Sequence, residues 1–146
     1  MSERNLILER FKTVIQAQST FKYVDVNRAT PIPNISNHPM PSAFIYSGGE
    51  IRVKDDRAVI GQETWDWGVF VEVWCKGSNF STETLLKTVH DAVYVDSALT
   101  TPGTLGVLAK SITRASASDL LMDPAAELKG VMIEFSVLYD NTWGVM

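Results

Sequence analysis

Cysteine is nearly missing from this chain: Cys75 is the single one among 146 residues, so no disulfide can form within it. One lone thiol fits a reducing compartment or a particle assembled in a cytoplasm. Histidine is almost as scarce, with His38 and His90 alone. They stand far apart in unlike settings, and no second ligand lies at helical spacing from either, so no zinc arrangement is assembled locally. Long hydrophobic runs are missing too. No apolar stretch approaches the roughly 20 residues of a membrane-spanning helix. Glu3, Arg4, Glu9, Arg10 and Lys12 interrupt what a signal peptide would keep apolar. The expectation is a soluble protein made inside the cell, without a membrane partner. A basic block is also missing. Lys and Arg number 13 against 17 Asp and Glu, for a net charge of −4, which argues against a phosphate-binding surface or sequence-specific nucleic-acid recognition.

What is present is an ordinary globular composition. Hydrophobic residues make up 45% and charged residues 21%, enough apolar surface for a real core and too much for a disordered chain. The length suits one domain.

Leu6, Ile7, Phe11, Val14 and Ile15 recur at helical spacing, which predicts an amphipathic helix over 3–18 with Ser2 as its N-cap. Phe21 to Arg28 alternates and reads as a strand. Four of the six prolines, Pro31, Pro33, Pro39 and Pro41, fall within 29–41. Proline fixes φ and removes a donor, so this stretch is an extended loop. Such a loop is either functional or a plain surface connection. Ser42 to Ser47 reads as a short strand ending in a turn at Gly48-Gly49. Ile51 to Val53 reads as another, with Asp55-Asp56 at a polar tip.

The longest alternation follows. Trp65, Trp67, Val69, Val71 and Val73 fall on one face of a strand, with Asp66, Gly68, Phe70, Glu72 and Trp74 on the other, and the valine face is core. The chain breaks at Gly77-Ser78-Asn79. Leu85, Leu86, Val89, Ala92 and Val93 then mark a second helix over 82–96, capped by Ser81, with Glu83 at the positive end of its dipole. Thr100 to Gly103 is a loop, and Leu108 to Ala117 a strand diluted by Ala and Ser. Asp123-Pro124 is a turn, and Leu120 to Ala126 leaves room for a helical turn. Val131, Ile133, Phe135, Val137 and Tyr139 alternate with Met132, Glu134, Ser136 and Leu138 in a closing strand. The sum is one α+β domain over 1–146, a mixed or antiparallel sheet with two main helices packed on it.

Little of this reads as catalysis. Gly48-Gly49 lacks the further glycines and the Lys of a phosphate loop. Cys75 and His90 could serve as nucleophile and base, but nothing beside Cys75 supplies an oxyanion hole or an activating group. A lone cysteine at a strand end is a small packed hydrophobe. Asp55-Asp56 are solvated loop acids. Trp65 and Trp67 could form a sugar platform, yet they share the Val69, Val71, Val73 face and belong with the core. The residues predict no enzyme, no cofactor and no metal centre.

The order of elements carries more. An opening amphipathic helix precedes Met40-Pro41-Ser42-Ala43-Phe44-Ile45-Tyr46 and Gly48-Gly49-Glu50. Glu63-Thr64-Trp65 runs into the strand Val69–Trp74, a helix starts at Thr82, and the last strand passes through Phe135 and Tyr139. In this order the chain resembles the tail terminator proteins of long-tailed phages, the lambda-like minor tail protein family. The resemblance implies a hexameric ring, made in the host cytoplasm and seated at the head-proximal end of the virion tail. Its partners would be further copies of itself, the tail tube protein and a head-completion or connector protein. A structural role and no cofactor go with it. Two other readings stay open: a different head–tail connector or neck protein, and a small cytoplasmic enzyme or ligand-binding domain. The resemblance carries no interface residue across. The strand pattern does single out Phe70, Glu72 and Trp74 as a candidate assembly surface, because their face is too apolar to be solvated and too polar for a dry core. Either a partner covers that face, or a loop or the second helix does.

Overall fold

The structure, a computed structural model, describes residues 3–26, 40–53, 62–76, 81–94, 111–123 and 128–142. The first helix, α1 (Glu3–Gln16), buries Ile7, Phe11, Val14 and Ile15, the positions that one helix face brings together. Leu8 joins them, whereas Leu6, counted in the stripe from sequence, is exposed. Leu6 stands about 100° round the helix from Ile7, on the side away from Phe11 and Ile15. The helix stops before residue 18: Gln18 N bonds Ile15 O at 3.0 Å, an i→i−3 bond that tightens the last turn. The N-cap assigned to Ser2 lies outside the described residues.

Five strands follow: β1 (Tyr23–Val26), β2 (Ser42–Val53), β3 (Gln62–Lys76), β4 (Ser111–Asp123) and β5 (Leu128–Thr142), with a second helix, α2 (Thr82–Tyr94), between β3 and β4. They form one sheet in the order β1-β2-β3-β5-β4. β1 runs parallel to β2 and every other pairing is antiparallel. The sheet is therefore mixed, and the described elements make a single α+β domain, as the sequence predicts. At the start of α2, Leu85 N bonds Ser81 O at 3.1 Å, which puts Ser81 in the N-cap position.

Both helices pack on one face. Val69, Val71, Val73 and Trp67 are fully buried there with Phe11 and Ile15 of α1 and Leu85, Val89 and Val93 of α2. Phe11 anchors α1 against Phe135 of β5, ring centroids 5.7 Å apart. Burying side chains of this size stabilises a fold by roughly 1.5–3 kcal/mol each, so this layer dominates the stability.

Three further sequence expectations need correction. Gly48-Gly49 is not a turn between two strands: β2 runs through it without ending. The pairing passes from Ser47↔Val69 to Glu50↔Trp67, one residue more on β2 than on β3, which is a β-bulge. The same dipeptide signals serve turns and bulges, and the long partner strand decides for the bulge. A Cβ on Gly48 would overlap Cε2 of Phe70, so glycine here also lets that ring lie across the strand. The second concerns β4, which starts at Ser111 and extends past Ala117 through Leu120 to Asp123, where the sequence leaves room for a helical turn. A second irregularity, between Leu120 and Asp123, lets it keep pairing to Leu128. Cross-strand bonds to β5 outweigh the weak local preference of this stretch. Third, the first strand starts at Tyr23 and not at Phe21, and Asn27 and Arg28 lie outside the described residues. The proline-rich stretch up to Pro39, Asp55-Asp56, Gly77-Ser78-Asn79, Thr100 to Gly103 and Pro124 to Ala126 lie outside the described residues.

Candidate functional site

The sheet face turned away from the helices is built by period two. On β3 it receives Phe70, Glu72 and Trp74; the register with β2 sets Tyr46 beside Phe70 and Phe44 beside Glu72. The register with β5 adds Glu134 beside Phe70 and Met132 beside Glu72. Phe70, Glu72, Tyr46, Met132 and Glu134 are half-buried, and no described helix contributes to the clusters on this face.

Glu72 organises the surface. Trp74 Nε1–H donates to its Oε1 at 2.6 Å and the Tyr46 hydroxyl to its Oε2 at 3.4 Å. The same hydroxyl lies 3.1 Å from Met132 Sδ. Tyr46 stacks on Phe70, centroids 5.4 Å apart and planes 15° from parallel. The two aromatic side chains held by one carboxylate are thereby fixed in orientation, and a fixed aromatic surface loses little entropy on contact. Of the three residues singled out from sequence, Phe70 and Glu72 stand as a partly open surface. Trp74 does not: it is buried, packed with Phe44 and Leu128 and flanked by Tyr23 and Met40. It lies flat on β5 at Gly130, where a Cβ would stand 2.8 Å from its ring. Trp74 thus supports the surface from one end. Tyr46, missed as a contributor from sequence, joins Phe70 only once the strand register is known, and the same knowledge seats Met132, which alternation puts on the less apolar face of the last strand, beside Glu72.

Burial, and then the Glu72 carboxylate, push the Tyr46 phenol up to about 12 from 10.0. An acid whose pKa is raised by folding favours the native state while protonated. Its contribution is complete below pH 10 and is lost as the pH rises from about 10 towards about 12. An absorbance titration of the phenolates should show a step near 12, and Tyr46→Phe should remove it. Its survival in that variant would show that another tyrosine owns it.

A second polar group closes the helix-side end of the core. Tyr139 Oη–H donates to Glu50 Oε2 at 2.7 Å, and Arg4 Nε lies 3.8 Å from the same oxygen. The Arg4 guanidinium carbon sits 4.8 Å above the Trp67 ring, and its Nη2 donates to Ser47 Oγ at 3.3 Å. This ties α1 to the bulged part of β2. Trp67 Nε1 finds no acceptor among the described residues.

Of the residues weighed for chemistry, Cys75, His90, Trp65 and Trp67 are described. Cys75 is fully buried in the main core, and burial pushes its thiol up, against a lowering by Lys129; a thiol so placed is a poor nucleophile. His90 is half-buried on α2 and stacks on Tyr94, centroids 5.9 Å apart. Trp67 belongs to the core and Trp65 packs against it, so they form no open platform. Among the described residues no three His, Cys, Asp or Glu side chains gather as metal ligands, and no helix is long and apolar enough to cross a membrane. His38 lies outside the described residues. No protein-family model matches this chain, and no curated protein matches it.

Proposed function

We propose that this chain is a structural subunit that assembles into a ring on the end of a phage tail tube. The ring ends tube polymerisation and offers the surface on which the filled head is joined. The observation that carries this reading is the one-sided burial of the sheet. From β2 to β5 its helix face is a dry core, while the other face holds Tyr46, Phe70, Glu72 and Met132 half-buried, with no described helix over them. A monomer with no partner has little reason to orient aromatic rings around a carboxylate on a face that no described helix covers, since such patches mark contact sites. The element order gives the proposal its direction, because it is the order for which the chain resembles tail terminators. A ring of this type uses heterologous contacts that close on themselves, so the subunit needs two different surfaces, and the face of Tyr46 and Phe70 supplies one.

The test is a phage carrying a deletion of this gene, viewed by electron microscopy. The lysate should contain DNA-filled heads beside tubes of uncontrolled length, or tails that fail to join. Normal particles at normal yield would overturn the proposal. So would a protein that binds the head-side connector and never a tube end, which would move it to the neck.

A further inference from the structure

β4 lies at the edge of the sheet with β5 as its neighbour, so alternate residues along its outer side aim N–H and C=O groups at no described strand. Thr113 to Asp119 are exposed, residues of both faces included. Ile112 still joins the core, so the helices leave uncovered only this stretch of the strand. Exposed edges invite pairing with another chain unless charge, proline or a bulge discourages it.

The exposed row reads alike from either end. Ala117 stands opposite Ile133, on the helix side of the sheet. Ser116, opposite Glu134, and Ser118, opposite Met132, flank it on the other side. Beyond them Arg114 faces Phe135 and Asp119 faces Val131, both on the helix side again. Arg114 and Asp119 are an odd number of residues apart, which on a regular strand would place them on opposite faces. The irregularity between Arg114 and Ser116 inserts one residue and returns them to the same face. Neither makes an ion pair with any described residue.

We propose that β4 pairs with β4 of a second copy of this chain, antiparallel and centred on Ala117, joining two sheets into one. A half-turn about an axis that stands beside Ala117, midway between the two strands and perpendicular to the sheet, sets Ala117 against Ala117, Ser116 against Ser118 and Arg114 against Asp119. The serine and charge pairs each occur twice. Every pair keeps its side of the sheet, and both helix layers fall on the same side. A slip by one residue would break the match of faces, and a slip by two would set each charge against a small neutral or outlying residue. The opposite sheet edge is a poorer partner: among the described residues β1 spans Tyr23–Val26, which would leave most of β4 unmatched. The contact is isologous and closes at two. It does not depend on the tube-capping reading, whose ring needs heterologous contacts and would differ in size.

Sedimentation of the full chain over a concentration series at low salt tests the pairing. The wild type should form a dimer. Arg114→Asp and Asp119→Arg each set like charges opposite one another twice, and each should weaken the dimer on the order of tenfold. Both positions are exposed, and circular dichroism should confirm unchanged folding. An equimolar mixture of the two variants again faces opposite charges at every such position and should recover wild-type affinity as a heterodimer. The double variant should recover it as a homodimer. A wild type that stays monomeric at its highest soluble concentration overturns the proposal. So do single variants that associate as the wild type does, whatever the size of the assembly, and a mixture no tighter than its components.

Discussion

Val71→Asp should leave no folded protein at room temperature, while Phe70→Asp, one position earlier, should fold. Val71 is fully buried, between Ile45 of β2 and Ile133 of β5 and beneath the helices. A carboxylate there has no partner, and such a burial costs several kcal/mol, on top of the lost valine packing. Against a total stability of about 5–15 kcal/mol that is decisive. Phe70 is half-buried on the other face, where an aspartate can reach water. Its loss removes the stack on Tyr46, worth about 0.5–1.5 kcal/mol beyond the area buried. It also places a second carboxylate near Glu134, its partner on β5. The expected phenotype is a folded chain, modestly less stable, that no longer assembles through this face and goes no further than the β4-paired dimer. Thermal melting followed by circular dichroism, with particle size measured on the same samples, separates the two outcomes. If Phe70→Asp melts out as completely as Val71→Asp, that face belongs to the core and the assembly role assigned to it is wrong.

The contrast between these neighbours was legible before any coordinates, because a period of two assigns faces from the sequence alone. The helix stripes through Phe11 and Val89 were legible for the same kind of reason. The register was not. Nothing local indicates that Tyr46 sits beside Phe70, or that Gly48-Gly49 forms a bulge, because both depend on how far β2 follows β3 before their pairing shifts. The fate of Trp74 also needed the third strand: it is buried because β5 offers it a bare glycine, Gly130, to lie on. The self-complementary row on β4 was hidden most deeply. Counted along the sequence, Arg114 and Asp119 belong to opposite faces, and only the extra residue between them reunites them. Alternation survives in sequence, whereas bulges reset its phase silently.

The bulge on β2 bears on the second large effect expected, at Trp67. This side chain is the largest fully buried one in the core. It lies opposite Glu50, the first paired residue after the bulge, and Val137 of β5. Tyr139 meets its ring edge-on, centroids 5.9 Å apart, and Arg4 covers it from α1. Trp67→Ala empties this site and should cost about 3–5 kcal/mol, a large part of the whole stability. The cavity also withdraws the surface on which the Arg4 guanidinium rests, so α1 should loosen at its first turns. Trp67→Phe should cost much less. It keeps an aromatic face for Arg4 and an edge contact for Tyr139, and the indole N–H it deletes has no acceptor among the described residues. Arg4→Ala should be milder still, because Arg4 and Glu50 are partly exposed at 41% and 23% and such pairs contribute about 0.2–1 kcal/mol. Urea unfolding should give midpoints falling in the order wild type, Arg4→Ala, Trp67→Phe, Trp67→Ala, with similar slopes if only the native state is affected. A Trp67→Ala midpoint close to that of the wild type would mean that this end of the core is not packed around the indole, and that Arg4 and Glu50 hold α1 to β2 without it.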